Sequence, residues 1–200
     1  SAKNKIMVEK SRTKEESVKE NSRYLRGNLK EELAQDTPNV ASTGILKFHV
    51  VYQQDDRDHR QQLMREQKNK DFSFMVRTKL PGGGISAAQY LKLDELADQF
   101  GNGTMRITTR QDIQFHGIVK KNLKTSIRDL NHALITTIGA CGDIVRNVVC
   151  CPAPLASREA IGLQQLTRQV SDWMLPKTRA YHEIWLNGEK VSSSEEEIEP

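Results

Sequence analysis

The chain has 200 residues, of which 36% are hydrophobic and 28% charged, and its net charge is +4. This length allows one or two domains with a core, and the small positive surplus suits an anionic ligand, an acidic partner or nucleic acid without choosing among them. No apolar run approaches the roughly 20 residues of a membrane span, and the N-terminus lacks the apolar stretch of a secretory signal. We therefore expect a cytoplasmic protein with no membrane partner, or a plastid stromal one if a transit peptide was removed.

The cysteines are Cys141, Cys150 and Cys151. An odd number without regular spacing argues against a disulfide framework and favours a reducing compartment. Three clustered thiols are also too few for a four-cysteine iron–sulfur site, so no metal ligand is predicted in this chain.

The first 70 residues are dense in charge. Residues 1–44 are predicted to be a tail that leads into a short helix over 29–35, with Asn28 as its N-cap. Residues 45–70 are predicted to be an extended, charged connector. Within it, the β-branched and aromatic side chains of 45–52 predict a strand, and 61–67 predicts a short helix.

The central part of the chain alternates between strand and helix patterns. The predicted elements are a strand over 72–80, a helix over 86–100, strands over 104–109 and 113–119, a helix over 123–137 and a strand over 144–150. This order is that of a split β-α-β, or ferredoxin-like, unit, which makes the fold class α+β. Because that fold hosts many functions, the topology alone does not indicate one.

The last part of the chain is predicted to hold one helix and one hairpin. The helix covers 161–175, and the hairpin strands 181–186 and 189–191 flank Asn187-Gly188, a strong turn dipeptide. Residues 192–200 are acidic and serine-rich and are predicted to be a linker.

One predicted hairpin gathers six polar side chains: Arg106, Thr108, Thr109, Arg110, Gln114 and His116. Strand alternation puts Arg106, Thr108 and Arg110 on one face, with Thr109 opposite, and puts Gln114 with His116 on the next strand. Arginine forks pair with carboxylates, so this surface suits a ligand that bears several of them. The alternative is that these residues form the solvent-exposed face of a sheet, with His116 as a hydrogen-bonded structural histidine.

A second pair of cations precedes a glycine turn. Arg77 and Lys79 share the strand face opposite Phe74 and Val76, just before Pro81-Gly82-Gly83-Gly84. Two cations beside a flexible backbone suit an oxyanion, and the alternative is a solvated sheet edge.

A third group is Arg146 with Asn147, inside the apolar run 144–150. A lone arginine in an apolar strand is costly to bury without an anion, so Arg146 is predicted to meet a ligand. A structural salt bridge to Asp143 is the alternative.

Six motifs in order resemble the sirohaem-dependent nitrite and sulfite reductases, and especially the assimilatory sulfite reductases of the haemoprotein-subunit and ferredoxin-dependent types. They are SRYLRG (22–27), KFHVVYQQDDRDHR (47–60), MVRTKLPGG (75–83), TRQDIQFHGIVKKNLK (109–124), GDIVRNVVC (142–150) and TRAYHEIWLNGEKV (178–191). The resemblance implies an N-terminal portion of such an enzyme. In this portion the helix of 1–44 wraps the enzyme, 71–138 is a ferredoxin-like half-domain, and 139–200 begins a sirohaem-binding α/β domain.

The same resemblance implies roles for the candidate residues. Arg77 and Arg146 match the arginines that hold the substrate anion, and Lys79 would support them or a carboxylate. The predicted sirohaem contacts are Lys79, Arg106, Thr108, Thr109, Arg110, Gln114, His116 and Asn147. The implied cofactors are sirohaem and a 4Fe-4S cluster whose ligands are expected outside this chain. The implied partners are sulfite, a ferredoxin or flavoprotein electron donor, and the rest of the enzyme.

Sulfite reduction to sulfide is therefore the predicted activity of the longer enzyme, and the isolated chain is expected to be inactive. An assimilatory nitrite reductase is the alternative in the same family. A basic ferredoxin-like sheet that holds RNA is the alternative from another class. It is disfavoured because Phe115 is the only aromatic residue between Gly101 and Asp143.

Overall fold

A computed structural model of the chain describes residues 17–18, 20–22, 27–32, 40–55, 57–68, 71–140, 145–153, 156–175, 183–186 and 189–193. Its elements are α1 (Leu29–Glu32), α2 (Val40–Phe48), β1 (Val51–Asp55), α3 (Arg57–Arg65), β2 (Phe72–Arg77), a 3-10 turn (Pro81–Gly83), α4 (Ala87–Phe100), β3 (Met105–Ile107), β4 (Ile113–Ile118), α5 (Lys120–His132), α6 (Arg158–Trp173), β5 (Glu183–Leu186) and β6 (Glu189–Ser193).

Four strands form one antiparallel sheet in the order β1-β2-β4-β3. The register pairs Val51 with Val76, Val76 with Phe115, and Met105 with Phe115. An antiparallel sheet combined with helices is the α+β class that the sequence predicts.

The fourth strand of this sheet is a correction to the sequence prediction. Residues 144–150 were expected to supply it, but the described part, 145–150, forms no strand. Instead β1, which lies in the predicted connector, pairs with β2 along its whole length. Residues 145–150 instead bond to two turns, through Asn147 to Leu80 and Arg110 and through Val148 to Gly82, and single-sequence periodicity does not separate such an apolar segment from a strand.

The core lies between one face of the sheet and helices α4 and α5. Phe74, Val76 and Phe115 are at most 2% exposed, and they pack with Leu93 of α4 and Leu130 of α5. Truncating a buried aromatic of this kind costs about 3–5 kcal/mol. The core therefore fixes which strand face points inward, and leaves the opposite face for polar side chains.

Helix α4 begins where the sequence predicts it. The Ser86 hydroxyl accepts the Gln89 N–H, and the Gln89 side chain accepts the Ser86 N–H, which forms a capping box. The predicted helix over 123–137 starts earlier, at Lys120, and ends at His132. It ends there because Leu134 takes a left-handed backbone with φ +57, and the Gln89 amide donates to the carbonyl of Ala133.

The N-terminal part also departs from the prediction. Residues 45–48 belong to helix α2, so the strand expected over 45–52 starts only at Val51. Tertiary packing outweighs the local β propensity here, because Leu46 belongs to the main core and Ile45 packs with Phe48. After β1, Arg60 of α3 grips both carboxylate oxygens of Asp55, with Nε at 2.6 Å from Oδ2.

The C-terminal hairpin is present as β5 and β6, paired antiparallel. Its predicted turn, Asn187-Gly188, lies outside the described residues. No helix within the described ranges is long and apolar enough to cross a membrane.

Candidate functional site

One face of the sheet carries most of the predicted binding residues. Arg77 of β2 pairs in register with Gln114 of β4, which pairs in turn with Arg106 of β3. Because side chains alternate along a strand, all three lie opposite the buried core, and His116 and Gln54 lie on the same side. We call this surface the cation face and define it by Gln54, Arg77, Arg106, Gln114 and His116.

A chain of hydrogen bonds crosses the cation face. With the Gln114 amide oriented so that its oxygen meets Arg77, Nε and Nη2 of Arg77 donate to that oxygen at 2.8 and 2.5 Å. The amide nitrogen then lies 3.4 Å from Nε2 of His116, and Nδ1 of His116 lies 3.1 Å from Oε1 of Gln54. Three strands therefore hold one planar guanidinium and one imidazole in fixed orientations.

His116 fits this chain as a neutral imidazole with its proton on Nδ1. In that tautomer Nδ1–H donates to Gln54, and Nε2 accepts from the Gln114 amide. Burial lowers the pKa of His116, and the positive charges of Arg106 and Arg77 lower it further. His116, for which the sequence allowed a structural or a binding role, is therefore hydrogen-bonded on both ring nitrogens and lies near Arg77 and Arg106.

The sequence predicted that Lys79 shares a strand face with Arg77, and the structure corrects this prediction. Strand β2 ends at Arg77, and Lys79 forms an isolated bridge with Thr136. Its side chain is only 5% exposed, and Nζ is 3.0 Å from the position of a Cβ on Gly139. Burial lowers the pKa of Lys79, whereas Asp172 and Asp112 act to raise it. Lys79 is thus a buried amine behind the site.

Asp112 is a functional candidate that the sequence analysis passed over as a turn residue. Its side chain is fully buried, Oδ1 accepts the Leu80 N–H at 3.1 Å, and Oδ2 has no hydrogen-bond partner. Burial raises its pKa to about 6, against the lowering effect of the Leu80 bond and of Arg77, Lys79 and Arg110. Asp112 follows Arg110 and Gln111 in a polar turn, so nothing in the sequence indicates such burial.

Thr108 organises the turn between β3 and β4. Its hydroxyl accepts the N–H groups of Arg110 and Asp112 at 3.2 and 3.1 Å. Strand β3 ends at Ile107, so the predicted face of Arg106, Thr108 and Arg110 is not one continuous strand. Arg106, Thr109 and Arg110 are exposed at this end of the sheet.

The segment 145–150 is held by side-chain bonds to two turns. The Asn147 amide is buried and donates to the carbonyls of Leu80 and Arg110 at 2.7 and 2.8 Å. Gly82 donates its N–H to the carbonyl of Val148. Asn147, predicted as a cofactor contact, is therefore an anchor, and its Oδ1 has no partner.

Arg146 is exposed and not buried among apolar residues, so the predicted cost of its burial does not arise. The residue precedes the Asn147 anchor, which ties it to the end of the sheet where Arg110 lies. Asp143, its predicted alternative partner, lies outside the described residues.

A groove of about 460 Å³ lies between 151–153 and α6, lined by Cys151, Leu163, Gln164 and Arg168 among others. No predicted site residue lines it. Among the described side chains no three His, Cys, Asp or Glu residues gather as a metal site. Cys150 and Cys151 are free thiols, and Cys141 lies outside the described residues.

Known proteins resemble the chain over most of its length. A family model described as the nitrite/sulfite reductase ferredoxin-like half domain matches residues 65–133. The sulfite reductase [NADPH] hemoprotein beta-component of Staphylococcus haemolyticus is 46% identical over 188 residues, 92% of this chain and 33% of that protein. The protein of the same name from Myxococcus xanthus is 46% identical over 185 residues, which are 91% of this chain and 33% of its own length. Residues 65–133 therefore match the ferredoxin-like half domain of nitrite and sulfite reductases.

The family match and a solved structure agree on the fold. The structure of Mycobacterium tuberculosis NirA protein covers 78% of this chain and 31% of its own, with a TM-score of 0.61 and 23% identity. The ferredoxin-like half-domain of the sequence prediction is thereby confirmed. The chain spans about a third of the length of its sulfite reductase relatives. The matched range contains Arg77, Arg106, Gln114 and His116, whereas Gln54 and Asn147 fall outside it.

Proposed function

We propose that this chain supplies part of the anion-binding site of a sirohaem-dependent sulfite reductase, which reduces sulfite to sulfide. The observation that carries the proposal is the chain of contacts from Arg77 through Gln114 and His116 to Gln54, on a sheet face whose other side is buried in the core. The chain's relatives are named as haemoproteins of sulfite reductase, which supports the choice of reaction.

The donor set of the cation face fits a tetrapyrrole that carries many carboxylates. Exposed Arg106 and Arg110 offer guanidinium forks at one end of the sheet, and Arg146 is anchored beside them through Asn147. We assign these three arginines, with Thr109, to the macrocycle carboxylates or the substrate. Thr108 and Asn147 hold the turns that present them. When bound, sirohaem with its 4Fe-4S cluster supplies the electrons for the reduction.

We assign Arg77 to the substrate, together with Arg146. The Gln114 oxygen takes up two of its N–H groups and orients the guanidinium plane, so its remaining donors have a fixed direction. His116 is neutral and polar, so it does not repel an anion bound beside Arg77. A preorganised cation of this kind binds sulfite without reorganisation and stabilises charge that develops on its oxygens.

The electron donor in this proposal is a flavoprotein reductase that uses NADPH. The relatives carry NADPH in their names, which favours this donor over ferredoxin. Oxidation of NADPH by the full haemoprotein mixed with a flavoprotein reductase, compared with reduced ferredoxin as the donor, tests the choice.

The experiment that tests the function replaces Arg77 in the full haemoprotein. For Arg77→Ala we expect sulfite affinity to fall by about 10- to 100-fold, since a charge-assisted hydrogen bond contributes roughly 1.5–3 kcal/mol. Sirohaem content, read from the absorption spectrum, should stay close to wild type.

Lys124→Ala is the matched control, because it removes one positive charge from exposed helix α5. It should leave sulfite affinity unchanged. Equal sulfite affinity in Arg77→Ala and wild type, or loss of the haem in both variants, would contradict the assignment.

A further inference from the structure

A buried carboxyl lies directly behind the cations of the proposed site. Asp112 is fully buried in the turn just before β4, and its Oδ1 accepts the Leu80 N–H at 3.1 Å. Its other oxygen, Oδ2, has no hydrogen-bond partner. A buried carboxylate oxygen without a donor is costly, which makes it a place where a proton lowers the free energy.

The charged groups around this carboxyl come from three elements. Arg77 belongs to β2, Lys79 follows β2, and Arg110 lies in the turn before Asp112. Asp172 of α6 faces Lys79 from the other side. These cations stabilise the carboxylate, while burial opposes its charge. Burial is the largest effect and raises the pKa of Asp112 to about 6, so a loss of the stabilising positive charge nearby shifts the carboxyl toward its neutral form near neutral pH.

An oxyanion at Arg77 or Arg110 changes that balance. The bound anion neutralises the cations that hold the carboxylate charged, and it adds repulsion between like charges. Burial is unchanged, so the neutral form gains. We propose that Asp112 takes up one proton from solvent when an oxyanion binds the cation face, and that the site gains a proton as it gains an anion. This inference rests on the proposed function and names a device that regulates the same site.

The proton count on binding tests the proposal. Calorimetric titration of the holo-haemoprotein with sulfite at neutral pH, in Hepes and in imidazole, gives the number of protons taken up from the difference in heat. Sulfite's own protonation contributes equally to every variant. We therefore expect wild type to take up more protons than Asp112→Asn, which keeps an acceptor for the Leu80 N–H.

The affinity offers a second readout. Asp112→Asn removes the buried negative charge, so its sulfite affinity at neutral pH should be higher than that of wild type, by about threefold or more, and should depend less on pH. Lys79→Gln separates the two titrating groups. If the uptake disappears in Lys79→Gln and persists in Asp112→Asn, the amine carries the proton and the proposal is wrong.

The anion can come from the substrate or from a macrocycle carboxylate. Titration of the apoprotein with sirohaem in the same two buffers distinguishes the two sources. If the proton uptake that depends on Asp112 occurs in this titration, the macrocycle carboxylate is the anion; if it occurs in the sulfite titration, the substrate is. Equal proton uptake by wild type and Asp112→Asn in both titrations overturns the proposal. If wild-type holoprotein fails to bind sulfite at all, the proposed function is wrong instead.

If Asp112→Asn does not fold, infrared difference spectroscopy of the wild-type protein tests the protonation of Asp112 directly. Wild-type holoprotein with and without sulfite should show a new C=O band of a protonated carboxyl. A spectrum without that band would contradict proton uptake at Asp112.

Discussion

The side-chain amide of Gln111 pairs with both backbone groups of Cys150: Nε2 donates to the carbonyl at 2.6 Å, and Oε1 accepts the N–H at 3.2 Å. The side-chain amide thus makes the same pair of hydrogen bonds to Cys150 that the backbone of a residue in a neighbouring strand would make. Gln111 has φ +63, and its Cβ lies against Gly83. The turn after β3 thereby carries the segment that presents Arg146.

Gln111→Ala should destabilise the protein by about 1–3 kcal/mol, because two half-buried backbone groups lose their partner. The free energy of unfolding in urea measures the effect. Gln169→Ala, at an exposed position of α6, is the control and should stay within about 0.5 kcal/mol of wild type. Equal changes in the free energy of unfolding for the two variants would show that the hydrogen bonds between Gln111 and Cys150 do not stabilise the protein.

Two glycines at the α6 side of the site should respond in opposite directions to alanine. Gly82 has φ +66, and an added Cβ would lie 2.5 Å from Oε1 of Gln164 and 3.0 Å from Sγ of Cys150. Gly82→Ala should therefore cost about 1–3 kcal/mol. Gly162 lies inside α6 with open space around it, so Gly162→Ala should stabilise by about 0.5–1 kcal/mol. Thermal unfolding of both variants decides, and a stabilising Gly82→Ala would contradict the close packing.

Asp112 should make the chain less stable as pH rises from about 4 to 6. Its pKa is raised from 3.8 to about 6 in the folded protein, so the folded state binds more protons in this window. Stability is then highest below the unfolded pKa and is lost as pH rises through the folded pKa, by about 2–3 kcal/mol. Asp112→Asn should lack this loss.

Urea unfolding of the chain at several pH values between 4 and 7 measures the difference. Asp94→Asn, at an exposed position of α4, is the control and should follow the wild-type profile. If Asp112→Asn and wild type give parallel profiles, Asp112 is not the group that titrates.

Arg146→Ala in the full haemoprotein should weaken sulfite binding by about 10-fold or more while the sirohaem spectrum is retained. The physical reason is the loss of one guanidinium that the Asn147 anchor holds at the end of the sheet. Arg158→Ala, at the exposed start of α6, is the charge-matched control. Wild-type affinity in Arg146→Ala would remove this residue from the site.

The parts of the fold that the sequence predicted are those in which local signals agree with packing. Helix α4 has a capping residue, an apolar stripe and a terminal glycine, and its predicted limits hold. The strand expected over 45–52 begins late because Ile45 and Leu46 are buried within a helix, which local propensity does not reveal. The strand predicted over 144–150 was wrong for a related reason: the described part, 145–150, is apolar but pairs with no strand of the described sheet.

The candidate site was predictable where strand alternation applies. Gln114 and His116 share a face and Arg77 meets them, as the period of two requires. Lys79 lies two residues further along, but the strand has already ended, so alternation no longer places it. Asp112 was not predictable from the sequence, because its hydrogen-bond donor Leu80 and its charged neighbours Arg77 and Lys79 lie up to 35 residues earlier in the chain.

The order of assembly follows from the anchors of 145–150 and α6. Asn147 reaches Leu80 across 67 residues and Arg110 across 37, Gln111 reaches Cys150 across 39, and Gln164 reaches Gly82 across 82. The side-chain hydrogen bonds of the cation face lie within residues 54–116, so they do not require Asn147 or α6 to be in place. Closing such long loops costs conformational entropy before the long-range hydrogen bonds can form and offset that cost. The anion-binding end is therefore expected to form last during synthesis and to open first under stress, ahead of the sheet that supports it.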